Sequence, residues 1–152
     1  MVHVLVATDF SNEAEACLEY ARTLAASLGK DNFKVTLLTV LEDIGQKSAQ
    51  FQFALAMLDS HGVREELNKQ AMDELSDLRE KHLKEIQVDT VVLRAAKAVH
   101  LEIAEYAAAK QVNLIVIAAH TRSGIAPMIM GGVLEKLSRE APCPVVVIPA
   151  AK

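Results

Sequence analysis

The chain of 152 residues has no tryptophan, two cysteines and four prolines, and its aromatic residues amount to 4% of the total. Cys17 and Cys143 lie far apart without metal-type spacing, which excludes a cysteine-ligated metal site and fits a reducing cytosol. Cationic excess is also missing. The 16 Lys and Arg are outnumbered by 20 Asp and Glu and are scattered along the chain, so the concentrated basic footprint that nucleic-acid binding needs is absent. No apolar run approaches the length of a bilayer span, the longest candidates being LIVIAA and VVVIPAA. The opening MVHVLVATDF shows neither the basic start nor the cleavage site of a secretory signal, and a cytoplasmic location is the expectation.

What is present suits one domain over residues 1–152. At 51% hydrophobic and 24% charged residues, the composition is that of a globular domain. A chain of this length buries about two-thirds of the surface its unfolded form exposes. No repeat, low-complexity tract or linker interrupts it.

Five short apolar runs alternate with helical patterns. VHVLVA (2–7) predicts a strand that ends at TDFS. A helix then begins behind Ser11 or Asn12 as cap, with Ala14, Cys17, Leu18, Ala21, Leu24, Ala25 and Leu28 as its inward stripe and Gly29 as its stop. The second strand is predicted over 34–41. A long charged helix follows over 63–85, with Leu67, Ala71, Leu75 and Leu78 inward, and the third strand spans 88–94. A helix over 98–110 buries Ile103, Ala104, Ala107 and Ala108, and leads to a fourth strand over 113–118. A short helix over 133–140, ended by Pro142, precedes the last strand in CPVVVIP. Alternation of this kind implies an α/β fold: a five-stranded parallel sheet in the order 3-2-1-4-5, with right-handed crossovers and helices on both faces.

In such a sheet, ligands sit beyond the carboxyl ends of the strands where the winding reverses, here between strands one and four. Two polar loops then open on one crevice, ATD (7–9) and AAHTRSGIAPMIMGG (118–132). The second holds three of the six glycines. Gly131 and Gly132, placed just before the last helix, would turn their amides and the helix dipole toward an anion. Neither GxxxxGK[ST] nor GxGxxG follows the first strand, so a Walker loop and a dinucleotide fingerprint are excluded. A phosphorelay receiver is excluded as well, because the third strand closes on Arg94 rather than Asp, and Asp9 has no acidic cluster beside it.

HVLVATDFSNEAEACLEYA and HTRSG…GGVLEKLSREAPCPVVVIP resemble the opening and closing halves of the universal stress protein family, over nearly the whole chain. The resemblance implies a cytosolic stress-response protein. It also implies homodimers joined along the last strand, here Val145, Val146, Val147 and Ile148, and in one branch a site for ATP or another adenine nucleotide. That branch carries G-x2-G-x9-G-[ST]. Its glycines fall here on Ala118, Thr121 and Gly131, and its hydroxyl residue on Gly132, so one glycine of three survives. Asp9 stands where the family meets the nucleoside, Ala7 replaces a common proline, and Val40 and Leu41 fall where the adenine pocket is lined by backbone. Thr121 conflicts with a left-handed turn, whereas Arg122, Ser123 and Thr121 itself offer groups that match phosphate.

The expected ligand-binding set is therefore Ala7, Thr8, Asp9, Val40, Leu41, Ala118, His120, Thr121, Arg122, Ser123, Gly131, Gly132 and Val133. Two readings stand side by side: an ATP crevice that is degenerate, weakened or lost, and a dimeric interaction protein that meets a protein partner through its dimer surface or residues 44–62. Asp9 could touch a ligand or cap the first helix. The segment QFQFALAML (50–58) could be a lid, a partner surface or a short helix on its own domain. No metal ligands are expected, and no enzyme activity, because His120 has neither a nucleophile nor an orienting acid beside it.

Overall fold

The computed structural model describes residues 1–42, 60–119 and 127–149. Five parallel strands form one sheet: β1 (Val2–Ala7), β2 (Phe33–Leu41), β3 (Gln87–Arg94), β4 (Leu114–Ala118) and β5 (Val145–Ile148), in the order β3-β2-β1-β4-β5. Fold class and strand order are as the sequence predicts. Four helices are described: α1 (Asn12–Leu28), α2 (Ser60–His82), α3 (Val99–Ala109) and α4 (Pro127–Glu140). Residues 44–59 of the predicted lid or partner segment lie outside the described residues, as does the QFQFALAML stretch within it.

The period-two alternation of each strand divides its side chains between two cores. On one face Val4, Val6, Val35, Leu37 and Val116 meet Cys17, Leu18, Ala21 and Ala25 of α1 and Leu75 of α2. On the other, Leu5, Ala7, Leu38, Ile115 and Ile117 meet Ile103, Ala104 and Ala107 of α3 and Leu137 of α4. Burial on both faces is why the strands read as continuous apolar runs.

Ser11 is the N-cap of α1. Its Oγ accepts the Ala14 amide at 3.3 Å, and Glu13 and Glu15 sit in the first turn, where the helix dipole favours them. Ser11→Ala is expected to cost about 1 kcal/mol of stability in urea denaturation.

Three inward assignments are corrected. Leu28 is 48% exposed, being the last residue of α1 before Gly29 turns the chain at φ 91°. Leu67 is 41% exposed, because the first part of α2 overhangs the sheet: Arg64 to Gln70 are all exposed, and burial starts at Ala71. Ala108 is exposed, since the buried arc of α3 runs through Ile103, Ala104 and Ala107.

The last helix also begins earlier than expected, at Pro127 rather than residue 133. Proline suits a first helical position, because the N–H it lacks would have no partner within the helix. Gly131 and Gly132 are then accommodated inside α4, at about 1 kcal/mol each relative to alanine.

Cys17 is wholly buried. Burial first, and the negative charge of Asp9 second, push its thiol up to about 12. A thiol so raised contributes stability that is fully present below pH 9 and is lost as pH rises through 9 toward 12. Maleimide at neutral pH is therefore expected to leave Cys17 unlabelled in the folded protein and to label it in urea, as peptide mass spectrometry can check.

Candidate functional site

The turn leaving β1 is fixed by its own polar groups. The Thr8 amide donates to the Leu38 carbonyl at 2.9 Å, and the Thr8 carbonyl accepts from Thr39 Oγ1 at 2.8 Å, which pins β1 to β2. Thr8 Oγ1 then accepts the Phe10 amide at 3.0 Å, and Asp9 Oδ1 accepts the Ser11 amide at 3.0 Å. These bonds hold Phe10 at φ 65°, a left-handed conformation that costs a bulky residue about 1–2 kcal/mol. Such strain persists only where the surroundings over-determine it. The result is an exposed Asp9 at a fixed place on the rim of the sheet.

Beside it opens a cavity of about 350 Å³, within the usual range of small-molecule sites. It lies at the carboxyl ends of β1, β2 and β4, where the winding reverses. Ala7, Leu38, Val40 and Ile117 face it from the sheet, Val99 and Ile103 from α3, and Val133 from α4. Thr8, Asp9, Thr39 and Glu42 supply its polar groups, and Ala14 of α1 and Ala118 complete the lining. The wall is apolar with a polar rim, suited to a flat apolar ring bearing a polar tail. Among the described residues no group of three or more His, Cys, Asp or Glu could hold a metal ion.

Of the residues expected to form a site, the fold brings together Ala7, Thr8, Asp9, Val40, Ala118 and Val133 around this cavity. Leu41 is not among them. Its side chain is on the opposite side of the strand from that of Val40, and its carbonyl accepts the Ala95 amide at 2.9 Å. His120, Thr121, Arg122 and Ser123 lie outside the described residues.

Gly131 and Gly132 belong to α4 instead of preceding it, so amides this far into a helix donate to carbonyls four residues back. A β-carbon added at Gly132 meets nothing within 4 Å. Gly132→Ala is therefore expected to stabilise the protein by about 0.5–1 kcal/mol, readable as a raised melting temperature. Asp9 engages the start of α1 through its bond to the Ser11 amide, with Ser11 as the cap proper.

Ala14, Leu38, Thr39, Glu42, Val99, Ile103 and Ile117 line the cavity without having been expected there. Ala7 pairs with Leu38, and a period-two reading along β2 from there gives Val40 and then Glu42, while the inward stripe of α3 gives Val99 and Ile103; Thr39 has the opposite parity, and nothing in the strand period marks it.

Among the described residues the chain is a doubly wound α/β sheet with a crevice at the reversal of winding, lined by an aliphatic wall and carrying Asp9 and Glu42. Residues 1–149 match the profile of the Universal stress protein family, and the chain belongs to that family. It is 33% identical over 87 residues to Universal stress protein YxiE of Bacillus subtilis (strain 168), an alignment covering 57% of each chain, so little more than half of that relative's length is spanned.

Among solved structures it is similar to hypothetical protein MJ0577, with a TM-score of 0.75 at 19% identity, covering 99% of this chain and 97% of that one. A universal stress protein solved in complex with cAMP has a TM-score of 0.62 at 17% identity, with 99% and 98% covered. One from Archaeoglobus fulgidus in complex with dAMP has 0.63 at 18%, with 97% and 98% covered. At these identities the likeness shows the fold. Among the described residues no helix is long and apolar enough to cross a membrane.

Proposed function

We propose that this chain is a cytosolic stress-response protein whose crevice takes an adenine nucleotide more weakly than the ATP-binding branch of its family does. The cavity carries this reading, since Asp9, Val40, Ala118 and Val133 surround one space at the reversal point. An adenine ring would lie against Val40, Val99 and Ile103, a ribose would meet Asp9 and Thr8, and the phosphate would point toward residues 120–132. There Arg122, with Thr121, Ser123 and His120, would meet it. The cAMP and dAMP complexes of proteins sharing the fold support an adenine monophosphate as the common portion. Binding rather than turnover is the proposed role.

A thermal shift with AMP, cAMP and ATP tests the reading. A site filled at 100 times its dissociation constant adds about 2.7 kcal/mol to stability. No shift with any adenine compound at millimolar concentration would favour the interaction-protein reading.

The sheet edge favours self-association as part of either reading. β5 is an edge strand, with Val147 40% exposed and Val145, Val146 and Ile148 half-buried. An apolar edge strand offers unpaired backbone groups to a second copy. Sedimentation equilibrium should report twice the chain mass, and a monomer at micromolar concentration would remove the proposed homodimer.

A further inference from the structure

Phe10 stands between Asp9 and Ser11 in the turn after β1 and does not itself line the crevice. Its ring packs, partly buried, against the core that Val4, Val6, Cys17 and Leu18 form with α1, on the face of the sheet away from the crevice. Asp9, one residue earlier, lines the crevice with Ala7 and Val40, which belong to the face that carries α3. The turn therefore has an apolar root on one side of the sheet and a crevice residue on the other. Between them the backbone passes through φ 65° at Phe10, a conformation that a bulky residue keeps only where its surroundings hold it. Two local bonds close the turn, from the Phe10 amide to Thr8 Oγ1 and from the Ser11 amide to Asp9 Oδ1, both at 3.0 Å. Each such bond replaces one to water and is a modest hold by itself, so burial of the ring supplies the rest. A carboxylate accepts several hydrogen bonds at once, and its bond to Ser11 is compatible with a further one from a ligand hydroxyl.

We propose that Phe10 is a positioning residue for the sugar of a bound nucleoside: its rooted ring keeps the turn left-handed before any ligand arrives, so that Asp9 meets the sugar hydroxyls already in place. Pre-ordering of this kind raises affinity by removing a cost of binding rather than by adding a contact. The proposal rests on the adenine reading of the cavity and narrows it, from any ligand with an adenine ring to one whose sugar offers hydroxyls to a preset acceptor. Phe10 then acts on the ligand only through Asp9, because its ring lies on the far side of the sheet.

Calorimetric titration of the full chain with adenine, adenosine and 2′,3′-dideoxyadenosine separates the sugar contact from the ring contact, in the native protein, Phe10→Gly, Phe10→Leu, Asp9→Ala and the variant carrying both Asp9→Ala and Phe10→Gly. The native protein is expected to bind adenosine at least about tenfold more tightly than the dideoxy compound. Phe10→Gly adopts the left-handed conformation freely but has no ring to root it, and should weaken adenosine about tenfold while leaving adenine and the dideoxy compound within about twofold. Phe10→Leu keeps an apolar root and should stay within about threefold of the native protein for adenosine. In the Asp9→Ala background, Phe10→Gly should cost nothing further, since the two residues act as one. Should circular dichroism show Phe10→Gly unfolded, hydrogen exchange in the native protein decides: protection of the Phe10 and Ser11 amides without ligand supports the role, and exchange at open-loop rates would overturn it. Equal losses of adenine and adenosine in Phe10→Gly, no loss of either, further loss in the combined variant, or native affinity as high for the dideoxy compound as for adenosine would each overturn the positioning role while leaving the adenine reading in place. No binding of adenine or adenosine to the native protein would remove the adenine reading and this role with it.

Discussion

Val40→Trp is expected to weaken AMP binding at least about a hundredfold, equivalent to about 2.7 kcal/mol. Val40 lies near the carboxyl end of β2, half-buried, on the same side of the sheet as Leu38 and Ala7, and lines the cavity with Val99 and Ile103. An indole at this place would occupy the volume assigned to the adenine ring. Because the added atoms enter an existing space rather than a filled core, the overpacking cost should stay at or below the low end of the usual ~1–3 kcal/mol. The variant should therefore remain folded, by circular dichroism and melting temperature, while losing the ligand in calorimetry. Undiminished affinity would place the ligand somewhere other than this cavity.

Phe33→Ala is expected to cost about 3–5 kcal/mol, the largest stability loss foreseen for a single side chain. Phe33 is the first residue of β2, pairs with Val2, and is fully buried against the face that carries α1 and α2. Truncation leaves a void between layers that are themselves held by strand pairing and cannot close on it. For a chain of this size each kcal/mol corresponds to about 2–4 °C, so the melting temperature should fall by roughly 10 °C. A fall of less than about 2 °C would mean that this layer is not packed as described.

The sheet was legible in the sequence because parallel strands buried on both faces leave runs such as VHVLVA and LIVIA that little else in a globular chain produces. The helix ends were less so. Leu28 and Leu67 satisfy helical periodicity yet lie where α1 ends and where α2 overhangs, and periodicity carries no information about how far the sheet extends beneath a helix. Pro127 and the Gly131–Gly132 pair read as loop, since glycines inside a helix oppose propensity. The helix nonetheless starts at the proline and runs through both.

Within the site, topology alone brought Asp9 and Ala118 to one crevice, because the reversal of winding requires it. Strand parity decided between Val40 and Leu41, and a run that is apolar at both positions conceals parity. Glu42 was missed for a different reason: it continues the parity of Val40, but an acidic residue after a strand usually signals solvent, and here it lines the cavity.

Titration of ¹⁵N-labelled protein with AMP, followed by amide chemical shifts, tests the crevice most directly. Progressive shifts confined to Thr8, Asp9, Thr39, Val40, Ala118 and Val133, with the amides of His3, Lys34 and Asp89 at the opposite end of the sheet unmoved, are the expected result. Shifts centred on that opposite end, or none at all at saturating AMP, would contradict it.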